Sequence, residues 1–298
     1  MHARTRCSIV GFALAILIAL GTPGLTEAAG IRIGSKNFTE QLILGELYGQ
    51  ALEARGIKVE RKLNMGGTLI AHQALISNEI DLYPEYTGTA LVNVLKAEVM
   101  TDAQAVFQKV KQYYEQQFKV TWLNQAPMNN TYVLAVPPEI AAKHNLKTLS
   151  DLAKVSKQLK IGTGPEWRDR KDGIPGLRAV YGMEFADHVQ FAAPDLRYAA
   201  LTNKQIDVVN AYATDGQIFA YKLALLDDDK KLWPPYHVAP VIRMQALAEN
   251  PKAAEALNEV SALLDNATMS ALNYRVIGSK EEPKDVARDF LKKKGILK

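Results

Sequence analysis

The sequence predicts an α/β protein of two lobes joined by two crossing strands. Three observations carry that expectation. Short β-like runs alternate with segments of helical apolar spacing along most of the chain. Three polar turns, "SKNFT", "NMGGT" and "EYTGT", each lie between a strand and a helix. In a parallel sheet such turns fall on one edge, at the carboxyl ends of the strands, where ligands bind. Two extended, proline-bearing stretches, "VTWLNQAPMNNTYVLAVPPE" and "KLWPPYHVAPVIR", enclose a βα unit of about a hundred residues, the size of one domain.

The elements follow in chain order. "MHARTRCSIVGFALAILIALGTPGLTEAAG" opens with Arg4 and Arg6, continues with an apolar run from Ile9 to Leu20, and ends in small residues. That is the pattern of a secretory signal peptide cut near Ala28. Its apolar run is short for a bilayer span, although an uncleaved anchor is the alternative reading. Cys7, the one cysteine, precedes the apolar run, so a lipoprotein cut is not expected and the mature chain has no thiol. The chain is therefore expected to be exported, periplasmic and able to fold without disulfides.

"IRIGS" (31–35) reads as a strand, and "TEQLILGELYGQALEARG" as a helix capped by Thr39 and ended by Gly56. "VERKL" reads as a strand, "LIAHQALISN" as a helix, "IDLYPEY" as a strand and "GTALVNVLKA" as a helix. A long amphipathic helix spans 102–118 ahead of the first crossing. Within the enclosed unit, "LKTLSDLAKVSKQ" is helical, "LKIGTG" is a strand and turn, and "GIPGLRAVYG" is helical. Next come "VQFAA" as strand, "APDLRYAALTNKQ" as helix, "IDVVNAY" as strand and "TDGQIFAYKLALL" as helix. Three helical patterns follow the second crossing. The expected division is a signal over 1–28, one lobe from 29–131 with 236–298, and a second lobe over 132–235.

Composition fits a protein with a sizeable core: 298 residues, 48% hydrophobic, 23% charged, with a net charge of +4. Basic residues are scattered, which speaks against a nucleic-acid partner. The five histidines show no metal-ligand spacing, and no G-x-S-x-G elbow, full dinucleotide fingerprint or phosphate loop occurs. No cofactor and no catalytic residue is expected. "IDLYPEYTGT" and "IDVVNAYATD" repeat one device: a short strand ending in a tyrosine just before a hydroxyl-bearing turn. Each lobe then presents one tyrosine to the gap.

The ordered set "IRIGSKNFTEQLILGEL", "GGTLIAHQAL", "IDLYPEYTGTAL", "YVLAV", "KIGTGPEW", "DGIPGL", "VVNAYATDG" and "LWPPY" resembles the glycine betaine/choline-binding proteins of ABC importers, over nearly the whole mature chain. The resemblance implies a type II periplasmic-binding-protein fold whose lobes close on a quaternary-ammonium osmolyte. It also implies delivery to an ABC permease in the inner membrane by a monomeric, non-enzymatic protein. Carried over motif by motif, Tyr86, Tyr132, Tyr212 and Tyr236, with Asn130 beside them, match the family's ammonium cage. Lys36, Thr89 and Arg170 match its carboxylate contacts. A short shift within "WRDRKDG" exchanges Arg170 for Arg168.

The chemistry suits those residue types. A trimethylammonium group has no N–H to donate, so it is held by ring faces, each worth roughly 0.5–2 kcal/mol depending on desolvation. A carboxylate needs cationic and hydroxyl donors near a helix N-terminus. Taken without the resemblance, Tyr83, Tyr86 and Tyr212 fit half-buried strand residues, Tyr132 hinge packing, Tyr236 a ring stacked on Pro234 and Pro235, Lys36 and Arg170 solvated charges, Thr89 a helix cap and Asp215 an N-cap. Gln41 fits a pocket or an exposed helix face, and Trp122, Trp167 and Trp233 fit core or rim. The carboxylate set ranks betaines above choline; the alternatives are choline, carnitine or another cationic solute. An enzyme or a sensor domain on the same fold ranks lower.

Overall fold

The computed structural model describes residues 30–169, 171–192 and 194–298; the expected signal segment and its cut near Ala28 lie outside them. The first stretch alternates strand and helix: β1 (Ile31–Gly34), α1 (Thr39–Ala54), β2 (Val59–Lys62), α2 (Thr68–Ile76) and β3 (Leu82–Tyr86). A three-residue turn of helix, α3 (Thr87–Thr89), α4 (Ala103–Phe118) and β4 (Val120–Trp122) complete it. The middle stretch runs β5 (Tyr132–Val136), α5 (Pro138–His144), α6 (Leu149–Val155), β6 (Lys160–Thr163), α7 (Ile174–Tyr181) and β7 (Asp187–Gln190). It ends with α8 (Pro194–Thr202), β8 (Val208–Tyr212), α9 (Gly216–Tyr221) and β9 (Ala224–Leu226). Then come β10 (Val238–Arg243), α10 (Met244–Glu249), α11 (Ala253–Ala262), α12 (Asn266–Ile277) and α13 (Pro283–Lys293).

These strands form two separate five-stranded sheets, ordered β2-β1-β3-β10-β4 and β7-β6-β8-β5-β9. The parallel core of each comes from βα units. Its antiparallel members come from the crossings: β10 runs against β3 and β4, and β5 against β8 and β9. The two crossings lie side by side, with Asn129 bridged to His237 and Asn130 N–H donating to the Tyr236 carbonyl at 3.2 Å. The architecture is the two-lobed type II binding-protein fold that the sequence led us to expect.

Strand periodicity explains why each sheet is covered on both faces. On β10, Val238 and Ile242 join the core with α1, α11, α12 and α13, whereas Ala239 and Val241 join the core with α2 and α4. On β5, Leu134 and Val136 face one core of the second sheet, and Val133 and Ala135 the other. Each fully buried Leu, Ile or Val here contributes roughly 1.5–3 kcal/mol against exposure. Helix starts follow capping chemistry. Asp102 accepts from Ala105 N–H at 2.7 Å, Asp265 from Thr268 N–H at 2.7 Å, and Thr148 forms a capping box with Asp151.

Four local expectations need correction. α1 starts on Thr39 itself, and Phe38 occupies the cap position without a side-chain bond. The expected helix after β3 is the short α3 followed by a π-type turn over Ala90–Val94. The run "TDGQIFAYKLALL" splits. α9 stops at Tyr221 because Lys222 takes a left-handed conformation (φ 51°), and Ala224–Leu226 then pairs with β5 as an edge strand. Four helices follow β10, not three, because Asn250 breaks the first pattern after Glu249.

Candidate functional site

A cleft of about 810 Å³ opens between the two sheets. Residues before α1, at the end of β3 and around α3 line it from the first sheet, and residues at the end of β8 and the start of α9 from the second. Tyr86 is the last residue of β3 and Tyr212 the last of β8. The repeated strand–tyrosine–hydroxyl device therefore delivers both side chains to one space.

Two tyrosines, Tyr212 and Tyr236, cluster around a third, Tyr132. Tyr132 and Tyr212 are directly opposed across the antiparallel β5/β8 pair, so their side chains share a face. Their ring centroids lie 4.9 Å apart at 30°, and their hydroxyls 3.3 Å apart. Tyr236, on the second crossing, sits 6.2 Å from Tyr132 at 75°. Its N–H donates to the Asn129 side chain at 2.7 Å, which ties the ring's position to the first crossing. Trp167 and Trp233 back Tyr132 at 5.1 and 6.3 Å and are buried, so they support the rings from the core. Tyr212 remains 39% exposed and lines the cleft.

Tyr86 lines the same cleft from the first sheet and is 4% exposed. Phe38 stacks near its ring at 6.3 Å and 23°, and the Lys36 ammonium lies 5.1 Å from its centroid. Gly88 allows α3 to lie flat on the second crossing. A Cβ there would stand 2.6 Å from the Pro235 carbonyl and 3.0 Å from the Tyr236 ring. Burial pushes the Tyr86 phenol well above its ordinary pKa, so it stays a neutral donor.

The polar wall differs in detail from the expected carboxylate set. Lys36 lines the cleft but is 3% exposed, and its Nζ lies 2.5 Å from Glu85 Oε1. Burial lowers its pKa, and Glu85 opposes that shift. Thr89 is half-buried on the cleft wall one turn beyond Tyr86. Asn130 donates through Nδ2 to Glu40 at 2.9 Å. Arg170 lies outside the described residues. Arg168 is exposed and opens onto a different cavity of about 520 Å³, beside Leu177 and His188.

Three neighbouring residues take clear positions. Gln41 is buried, and its side chain accepts from the Lys36 N–H at 3.2 Å. Asp215 stands at the N-cap position of α9 without capping it; its carboxylate accepts from the Tyr198 hydroxyl at 2.7 Å and the Tyr212 N–H at 3.2 Å. It also faces Arg197, a cleft residue, at 3.7 Å. Among the described residues no group of three or more His, Cys, Asp or Glu side chains converges as a metal site.

Sequence reasoning missed Glu40. It is 4% exposed in the cleft wall and accepts from Tyr86, Asn130, Thr214 and Asn273. Desolvation raises its carboxyl above the ordinary range, and the donors from Thr214, Tyr86 and Asn273 oppose the rise. An acid in a first helical turn usually faces solvent and the helix dipole, which hid it. The available signal was its place in "GSKNFTE", between Lys36 and a helix start on the ligand edge.

The model of one protein family, described as the substrate-binding domain of ABC-type glycine betaine transport systems, matches residues 29–293. A carnitine transport binding protein from Listeria monocytogenes is 36% identical over 282 residues, covering 93% of this chain and 91% of the relative. A glycine-betaine-binding protein from Pseudomonas aeruginosa is 37% identical over 284 residues, covering 92% and 91%. Among solved structures, one described as a glycine betaine/carnitine/choline ABC transporter superposes with a TM-score of 0.87 at 32% identity, over 90% of this chain and all of that one.

Proposed function

The chain belongs to the family of substrate-binding domains of ABC-type glycine betaine transport systems, and from that premise we propose that its own ligand is glycine betaine or a similar betaine. The observation that carries this is the aromatic group of Tyr132, Tyr212 and Tyr236 in the cleft, with Tyr86 lining the same cleft from the first sheet. Phenol faces attract a methylated ammonium that no hydrogen bond can hold. Thr89, Lys36 and Arg170 are the proposed carboxylate contacts, with Asn130 on the cage side. Lys36 has two N–H donors beyond the one facing Glu85.

The protein acts in the periplasm, after loss of its signal near Ala28, as a monomer that performs no chemistry. Its lobes, 29–131 with 236–298 and 132–235, hinge about the two crossings. Ligand favours the closed form because both lobes touch it only there. The closed form docks on an inner-membrane ABC permease.

Calorimetric titration with glycine betaine, carnitine and choline, backed by mass spectrometry of whatever copurifies, tests the reading. Glycine betaine is expected to bind most tightly; failure of all three ligands to bind would end it. Tyr212→Ala is expected to cost about 1–2 kcal/mol of betaine binding, and an unchanged Kd would remove that ring from the cage. Arg170→Ala is expected to weaken glycine betaine far more than choline, which has no carboxylate. Equal losses would refute the carboxylate assignment.

A further inference from the structure

A buried carboxylate ordinarily faces a guanidinium or an ammonium. Glu40 faces neutral groups instead. Its Oε1 accepts from the Tyr86 phenol at 2.6 Å and from Asn130 Nδ2 at 2.9 Å. Its Oε2 accepts from the Thr214 hydroxyl at 2.5 Å and from Asn273 Nδ2 at 2.8 Å. Two cations of the cleft wall are engaged elsewhere, Lys36 with Glu85 at 2.5 Å and Arg197 with Asp215 at 3.7 Å. Four donors satisfy the lone pairs of Glu40 and fix its place, but none of them cancels its charge.

A phenol that donates to a carboxylate gains electron density in its ring, because hydrogen-bonded groups polarise one another. The Tyr86 face then attracts a cation more strongly than the face of a phenol bonded to water. The charge behind the ring also acts directly, since a wall with little water screens it far less than solvent does. Thr214 follows β8 of the second sheet, whereas Tyr86 ends β3 of the first. The full donor set therefore exists only when the two bodies are together.

Resting on the quaternary-ammonium reading above, we propose that Glu40 is the counter-charge of the cleft: from behind Tyr86 it polarises the ring and selects a cationic ligand head over a neutral one of the same shape. It is a positioning residue that acts through Tyr86. The charged groups around it are Lys36 ahead of α1, Glu85 on β3 and Asp215 beside Thr214. α12 and the first crossing present the neutral Asn273 and Asn130. Burial favours the protonated acid, and Asp215 adds to that tendency. A bound cation favours the ionised form, so cation binding weakens as pH falls.

The test compares choline with its uncharged carbon isostere, 3,3-dimethylbutan-1-ol, the isostere being measured by competition with choline. In Glu40→Gln, choline affinity is expected to fall at least about tenfold while the isostere stays within about twofold. Glu40→Asp, which keeps the charge, is expected to keep the preference for choline. Equal losses for both probes would overturn the proposal and leave Glu40 a purely structural residue, with the quaternary-ammonium reading intact. A wild type that binds neither choline nor glycine betaine would overturn both. Should the glutamine variant not fold, the wild type decides. Choline affinity is expected to be at least roughly threefold lower at about pH 5 than at about pH 8, with the isostere indifferent; a flat choline profile sinks the proposal.

Discussion

Glutamine in place of Glu85 is expected to destabilise the protein by about 3–5 kcal/mol at neutral pH, because it leaves a buried ammonium without its counter-charge. Glu85 is fully buried, and Lys36 nearly so. The carboxylate also accepts from the Tyr83 hydroxyl at 3.0 Å and from the Tyr86 N–H at 2.6 Å. Strand alternation explains the geometry: Tyr83 and Glu85 share one face of β3, and Tyr86 points to the other. Glutamine keeps the shape and one acceptor but cannot balance Lys36.

The relief available to the variant is to release the lysine proton. Burial already lowers the Lys36 pKa in the wild type, with Glu85 opposing; without Glu85 the folded value drops further. Between that value and the unfolded one of about 10.4, the unfolded chain binds more protons, so stability rises with pH. Urea unfolding at about pH 7 and about pH 10 should therefore show a deficit that narrows at the higher pH. Replacing both partners, Lys36→Met with Glu85→Leu, is expected to recover most of the loss. A single variant within about 1 kcal/mol of wild type would mean that the Lys36 ammonium reaches water, with its charge free for a ligand.

The frame of this protein was legible because it rests on local pattern. Val238, Ala239, Val241 and Ile242 alternate between two cores, and such alternation can be read from six residues of sequence. The tyrosines at the ends of β3 and β8 were legible for a related reason: strand, ring and hydroxyl turn are contiguous. Failures came where distant contacts decide. Leu225 and Leu226 continue the apolar rhythm of α9, and only pairing with Leu134 and Ala135, about ninety residues earlier, makes them a strand. Lys36 could be placed on the ligand edge from sequence, but its ion pair with Glu85, on another element, could not. Glu40 passed unnoticed because Thr214 and Asn273, which close over it, come from distant parts of the chain. Buried charge is invisible to a linear reading because its partners come from different elements.

Tyr132→Ala is the change expected to damage stability and binding together, because Tyr132 is the hub of the aromatic group. Its ring meets Trp167 at 88°, Trp233 at 57°, Tyr212 at 30° and Tyr236 at 75°. It also belongs to the core that contains Leu134, Leu149 and Leu177. Truncating a buried aromatic leaves a cavity and costs about 3–5 kcal/mol. The same cut removes one cage wall and the surface against which Tyr212 and Tyr236 are held, so betaine affinity is expected to fall about a hundredfold, or roughly 2.7 kcal/mol. Tyr132→Phe separates packing from the hydroxyl: it keeps the ring and loses the contact to the Tyr212 hydroxyl, with a stability loss of about 0.5–1.5 kcal/mol. Chemical unfolding gives the first quantity for each variant, and calorimetric titration the second. An alanine variant that folds with near-native stability but does not bind would confine Tyr132 to the ligand. One that binds normally once folded would remove it from the cage and leave Tyr212 and Tyr236 to hold the cation without it.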